Sequence, residues 1–181
     1  MAIDYSELKN LIDNPNFDPE KFKQVLHHII CSTACLSNVG KTVLYKLLYF
    51  SDFDFYELNE SFLTGERYSK IDHGPAPRHF NEMIEELERE GKIQVVTTTY
   101  FGRSQTRFIS LISPEYSKLN ADELKHIDRT LGKYASMNAT QIKAISHDDI
   151  PYKATNEKRD IDYELVFYRD ARTSVREYMD D

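Results

Sequence analysis

Residues 37–50 read SNVGKTVLYKLLYF, and they decide whether the chain is organised around a nucleotide or around a buried helix. Gly40-Lys41-Thr42 has the ending of the phosphate-cradling loop G-x-x-x-x-G-K-[ST]. That loop needs an earlier glycine, whose turn aims successive backbone N–H groups at phosphate, and Cys35 stands where it would fall. The residues before it are helix-like, whereas a phosphate loop follows a buried strand. The nucleotide reading fails on spacing. The stretch reads instead as the start of a helix capped by Ser37 or Asn38. Leu44, Leu47, Leu48 and Ser51 form one face, and Tyr45, Tyr49, Asp52 and Tyr56 another. A helix this apolar on nearly every side is expected at the centre of a fold.

Working outward, Asp18-Pro19-Glu20 opens an earlier helix, with a capping carboxylate, proline at the first helical position and an acid at the positive end of the dipole. Phe22, Val25, Leu26, Ile29 and Ile30 follow at helical spacing. After the central helix, residues 65–73 read as extended and end in the turn signal Gly74-Pro75-Ala76-Pro77. A third helix runs from Pro77 through Phe80, Met83, Ile84 and Leu87 to a stop at Gly91. The period then changes. Residues 93–100 (IQVVTTTY) and 106–112 (TRFISLI) are β-branched strands around a turn at residues 101–104, a β-hairpin. Asn120 with Glu123, and Asn138 with Gln141, have capping-box spacing for two more helices. Residues 146–158 read as a polar loop, and Ile161, Leu165, Tyr168, Val175 and Met179 as a helical stripe in the tail.

The expected fold is therefore mainly α with a minor β part: a single compact helical domain, residues 18–181, with one antiparallel β-hairpin and a C-terminal helix. Residues 1–17 form a lead-in. The 181 residues are enough to bury a core without disulfides or metals. A net charge of −7 lacks the field of a non-specific nucleic-acid binder, so nucleic acid is not the expected partner. No apolar run is long enough to span a membrane and no basic leader opens the chain, so the expected location is the cytoplasm.

The candidate chemistry is sparse. His27, Cys31 and Cys35 share a helical face, but structural zinc needs four ligands, usually from two segments. His73, His79, His147, Asp148 and Asp149 follow no catalytic spacing. No metal, cofactor or enzymatic activity is expected. Helix followed by hairpin, with Arg103 and Arg107 near the tip, is similar to a winged helix. The helix before it carries Glu82, Glu85, Glu86, Glu88 and Glu90, which would repel DNA. Aromatic and arginine residues at a hairpin tip suit a protein partner better.

Three segments in this order carry a family resemblance: VLYKLLYFSDFDFY, LTGERYSKIDHGPAPRHFNEMIEEL and ATQIKAISHDDIPYKAT. Together they resemble the SocA-like Panacea domain, an antitoxin-associated domain of bacteria and their phages, over about residues 20–165. The family's Y-G-P-V-P stands here as His73-Gly74-Pro75-Ala76-Pro77, and its late S-H-x-x-P-W element as Ser146 to Tyr152. The resemblance implies a type II antitoxin that neutralises a cognate toxin by direct protein–protein binding, with delivery of the toxin to a protease as one route. A winged-helix-like, DNA-binding transcription regulator is the alternative. The residues before the domain are too few for the N-terminal helix-turn-helix that some members carry.

The motif residues are Asp52, Gly65, Tyr68, His73, Gly74, Pro75, Pro77 and His147. Gly74 and Pro75 are expected to shape the turn before the third helix. Asp52, Tyr68, His73 and His147 are expected to tie helix, turn and late loop into one polar cluster, with partner contact as the other reading. Phe101, Arg103, Arg107 and Tyr152 are the candidate partner-binding residues.

Overall fold

The computed structural model describes residues 14–177. Most of the expected lead-in, and Met179 of the expected tail stripe, lie outside the described residues. The helix starts follow from local chemistry. In α1 (Pro19–Ser32) the Asp18 carboxylate accepts the Lys21 N–H at 3.0 Å, and Phe22, Val25, Leu26, Ile29 and Ile30 are all buried. The central helix α2 (Lys41–Asn59) starts differently from expectation. Its N-cap is Gly40, with no capping side chain. Asn38 instead turns its amide to the carbonyls of Ala135 and Met137, at 2.7 and 2.9 Å. Burial covers nearly the whole circumference of α2, from Val43 to Glu57, and the other elements pack around it.

The expectation of a single hairpin is wrong: among the described residues there are two. Strands β1 (Tyr68–Ile71) and β2 (Gly74–Pro77) pair antiparallel through a two-residue turn, Asp72-His73. The prolines of GPAP had argued for a bare turn, because proline donates nothing to a ladder. The pairing resolves this. Lys70 gives its N–H to the Arg159 carbonyl, and the Tyr68 carbonyl accepts from Ile161. Both therefore face residues 158–161 on the other edge of β1. Pro75 stands opposite Lys70 and Pro77 opposite Tyr68, where β2 owes no N–H.

Helix α3 (Phe80–Arg89) leads into the second hairpin, β3 (Ile93–Tyr100) with β4 (Arg103–Ser110). Its register pairs Tyr100 with Arg103, so the turn is Phe101-Gly102 and shorter than expected. Helices α4 (Ala121–Tyr134) and α5 (Ala139–Asp148) begin in the reciprocal capping boxes that their spacing predicted. Two corrections concern the late chain. Residues 146–158 are not all loop, since Ile150–Ala154 forms a short α6 with Pro151 in its first turn. The described tail has no long helix. It has a 3-10 segment, Tyr163–Tyr168, whose inward residues are Tyr163 and Val166, while Tyr168 is exposed. The core between these elements is aromatic: Tyr163 stacks on Phe53 at 4.1 Å and Tyr134 on Phe50 at 4.3 Å.

Candidate functional site

Asp52 and Tyr68, two of the motif residues, meet in the interior. The Asp52 carboxylate is buried on α2 and accepts from the Tyr68 hydroxyl (2.5 Å), the Thr64 hydroxyl (2.8 Å) and the Thr64 N–H (3.0 Å). Burial pushes its pKa up to about 7, and the Tyr68 and Thr64 hydrogen bonds restrain that rise. Gly65 follows with φ +72, and a Cβ there would lie 1.9 Å from the Asn16 carbonyl oxygen. Next to it, buried Glu66 accepts the His79 N–H at 2.9 Å and pairs with His79 Nδ1 at 2.7 Å. Burial works against the charge on His79, but Glu66 outweighs it and raises the His79 pKa.

The Gly74 turn closes over a buried lysine that sequence reasoning missed. Lys46, fully buried on α2, donates to the Pro75 carbonyl at 3.0 Å. Burial, with the nearby Lys143 charge, lowers its pKa to about 7. Gly74 has φ +101, and a Cβ on it would lie 2.5 Å from Lys46 Cε and 2.9 Å from Ser146 Oγ. No hydrogen bond joins His73 or His147 to Asp52 and Tyr68, so the four residues do not form one cluster. His73 is exposed, with Nδ1 3.5 Å from Lys143 Nζ. His147 stacks on Tyr152 at 4.5 Å, and its buried Nε2 has no hydrogen-bond partner among the described residues. Burial, then Lys143, Lys46 and Lys70, lowers its pKa. Tyr152, expected to meet a partner, is buried and donates to the Ile71 carbonyl at 2.7 Å.

The largest omission of the sequence reading is Arg169. Its buried guanidinium binds Asp149 through two nitrogens (2.8 and 2.7 Å), Asp54 at 2.8 Å and Glu57 at 2.7 Å. The Tyr49 hydroxyl donates to Asp149 at 2.8 Å. Beyond Arg169, Ser174, the Val175 N–H and Arg176 all bond Glu57. Burial opposes the charge on Arg169, but Asp54 and Asp149 hold it firmly protonated. Three carboxylates face one cation, and burial lifts Asp54 to about 6 against the pull of Arg169. Acids inside an apolar helix were the available signal, since a buried carboxylate must find a partner. Nothing in the sequence said which of the basic residues would supply it.

The second hairpin presents a different surface. Phe101 is 88% exposed, at φ +46, and meets Tyr100 edge-on at 4.7 Å. A left-handed backbone costs a phenylalanine about 1 kcal/mol, where asparagine or glycine would sit with little strain. Arg103 is exposed beside it, and Arg107 reaches the Ala34 carbonyl at 3.1 Å. Between this hairpin, residues 40–43 and residues 138–140 lies a cleft of about 650 Å³. Elsewhere, His27 Nε2 lies 2.9 Å from Ser110 Oγ, and Cys31 and Cys35 are exposed. Among the described residues no three His, Cys, Asp or Glu side chains stand close enough to hold a metal. Within the same limits, no helix is long and apolar enough to cross a membrane.

A family model described as antitoxin SocA-like, Panacea domain, matches residues 44–152. No curated protein and no solved structure matches the chain. The matched region holds Lys46, Asp52, Asp54, Glu57, Gly74 and Asp149. Arg169, the cation that joins three of those acids, lies beyond it.

Proposed function

Since the chain belongs to the antitoxin SocA-like Panacea-domain family, we propose that it is the antitoxin of a type II toxin–antitoxin system. In this reading it is a non-enzymatic cytoplasmic protein that neutralises a cognate toxin by direct contact. The carrying observation is the family match, which takes in most of α2, both hairpins and helices α3 to α5. The use of the motif residues supports a binding scaffold. Asp52, Tyr68 and Gly74 are committed to internal bonds and close packing, which leaves the outer faces for a partner. The net charge of −7 supports rapid association with a basic toxin, since complementary fields act chiefly on the encounter rate.

Neutralisation takes one of two forms: the toxin's working surface is covered, or the complex is presented to a protease. Co-expression tests the reading. The product of the gene beside this one, induced alone, should stop growth, and induction of both should restore it. Growth arrest that persists with both proteins present at comparable levels sinks the antitoxin reading. An immunoblot of the rescued cells separates the two forms. A stable toxin pool indicates covering, and a toxin half-life that shortens with co-expression indicates delivery.

A further inference from the structure

Resting on the antitoxin reading, we propose that the cleft beside the Phe101-Gly102 turn docks an acidic segment of the toxin. That segment presents carboxylates to Arg103 and Lys41 and an apolar side chain to Phe101.

Charge is the first support. The chain carries 30 Asp and Glu residues, yet among the described residues none of them lines this cleft. Its lining combines Lys41 and Arg103 with neutral groups such as Asn38, Thr42, Gln105 and Asn138. Some cations elsewhere are heavily paired, as where Lys23 meets Glu20, Glu86 and Glu90 within 2.9 Å, while others such as Lys125 and Arg129 stand on exposed helix without a carboxylate among the described residues. Arg103 and Lys41 have no carboxylate partner among the described residues. Lys41 Nζ rests on the neutral Asn81 amide at 3.1 Å. Two unpaired cations at an acid-free cleft, on an acidic protein, fit an anionic group from outside.

The second support is Phe101. A large ring almost fully in solvent, on a backbone it adopts at a cost, buries little of its surface in the isolated protein. Aromatic and arginine side chains together are the usual anchors of protein interfaces. The third support is preorganisation. Gln105 Nε2 donates to the Ser37 carbonyl at 3.1 Å and ties β4 to the chain before α2. Asn38 is pinned to residues 135 and 137, and Asn138 is held in its capping box. Walls fixed in advance lose little freedom on binding. A volume of about 650 Å³ accommodates a few side chains of a peptide segment. A basic toxin is compatible with this geometry. The acidic faces draw it in, and the locally inverted patch at the cleft sets its register.

Duplex DNA is the competing occupant. Helix α3, which supplies Asn81, also carries Glu82, Glu85, Glu86 and Glu88 on its short length. These acids disfavour a polyanion as long as a duplex.

The test uses the full chain and the purified product of the adjoining gene, once its toxicity is seen in the co-expression experiment, with affinity read by biolayer interferometry. Arg103→Glu and Phe101→Asn should each weaken binding about tenfold or more. Asparagine suits the left-handed turn, so Phe101→Asn keeps the hairpin, and a melting temperature no lower than that of wild type verifies it. Lys125→Glu, an equal charge change on exposed α4, should stay within about twofold. If wild type neutralises the toxin and both cleft variants bind as wild type does, the toxin docks elsewhere and the cleft proposal falls. A wild type that neither binds nor neutralises overturns the antitoxin reading, and the docking site with it. If wild type shifts a promoter duplex and Arg103→Glu does not, the cleft is a nucleic-acid site and the proposal falls.

Discussion

The two hairpins share a plan and differ in everything around it. Each is antiparallel and reverses in two residues, Asp72-His73 in one and Phe101-Gly102 in the other. The first is covered on both sides. Residues 158–161 bond the free edge of β1, and β2 lies on α2 with Gly74 over Lys46. The second packs through its base, at Ile93 and Phe108, and sends its tip into solvent. The hairpin that the sequence displayed openly is the exposed one. The hairpin it concealed is part of the core. Strand propensity reports a pleated surface with β-branched side chains, whereas the first hairpin is held by what packs over it.

That difference can be broken at several points. The largest effect is expected at Arg169. Arg169→Met leaves Asp54, Glu57 and Asp149 without their cation and should cost about 3–5 kcal/mol in urea unfolding. Arg169 also anchors the chain that continues from residues 158–161. Hydrogen exchange should therefore accelerate at residues 68–77 well before residues 93–110. Equal acceleration in both hairpins would remove the claim that the first depends on the tail.

Next comes a matched pair of glycine substitutions. Gly74→Ala meets both a left-handed backbone and the Lys46 side chain, for an expected loss of about 2–4 kcal/mol. Gly102→Ala, at φ +74 with nothing within 4 Å of the new Cβ, should lose only about 1 kcal/mol. Similar losses at the two turns would mean that the cover over β1 and β2 contributes little.

Lys46 makes the first hairpin sensitive to alkali in a particular direction. Its folded-state pKa of about 7 lies below the ordinary 10.5. Between those values the unfolded chain binds more protons than the folded one, so stability rises with pH. The expected slope from pH 7 to pH 10 reaches about 1 kcal/mol per pH unit. Lys46→Met should flatten it, as read from urea midpoints across that range. A slope that survives the substitution assigns the effect to another group. The smallest effect belongs to the second hairpin. Phe101→Asn should stabilise the isolated protein by up to about 1 kcal/mol, because it relieves the turn without uncovering any core.

Much of this was legible locally. Asp18, Asn120 and Asn138 announced their helices because a capping side chain bonds a backbone N–H only a few residues away. The apolar circumference of α2 announced a central helix. The fault at its start has a local cause, since Asn38 offered a cap and tertiary contacts claimed its amide first. The polar interior was legible only by half. Asp52 and Tyr68, expected in one polar cluster with two histidines, do meet. His73 and His147 were assigned to the same cluster by motif, and the fold places them beside Lys143 and Tyr152.

By itself, then, the sequence determined that one buried helix stands at the centre of the fold. It also located the starts of α1, α4 and α5 and excluded a phosphate loop at Gly40. Those are matters of period, capping and spacing, set within a few residues. Only the tertiary structure decided that GPAP is a strand, that Lys46 lies beneath Gly74, and that Arg169 answers Asp54. Each depends on contacts made across the fold, 115 residues apart in the last case. The free energy of burying a charge requires that a partner exist, and only the packing of the whole chain selects which residue it is.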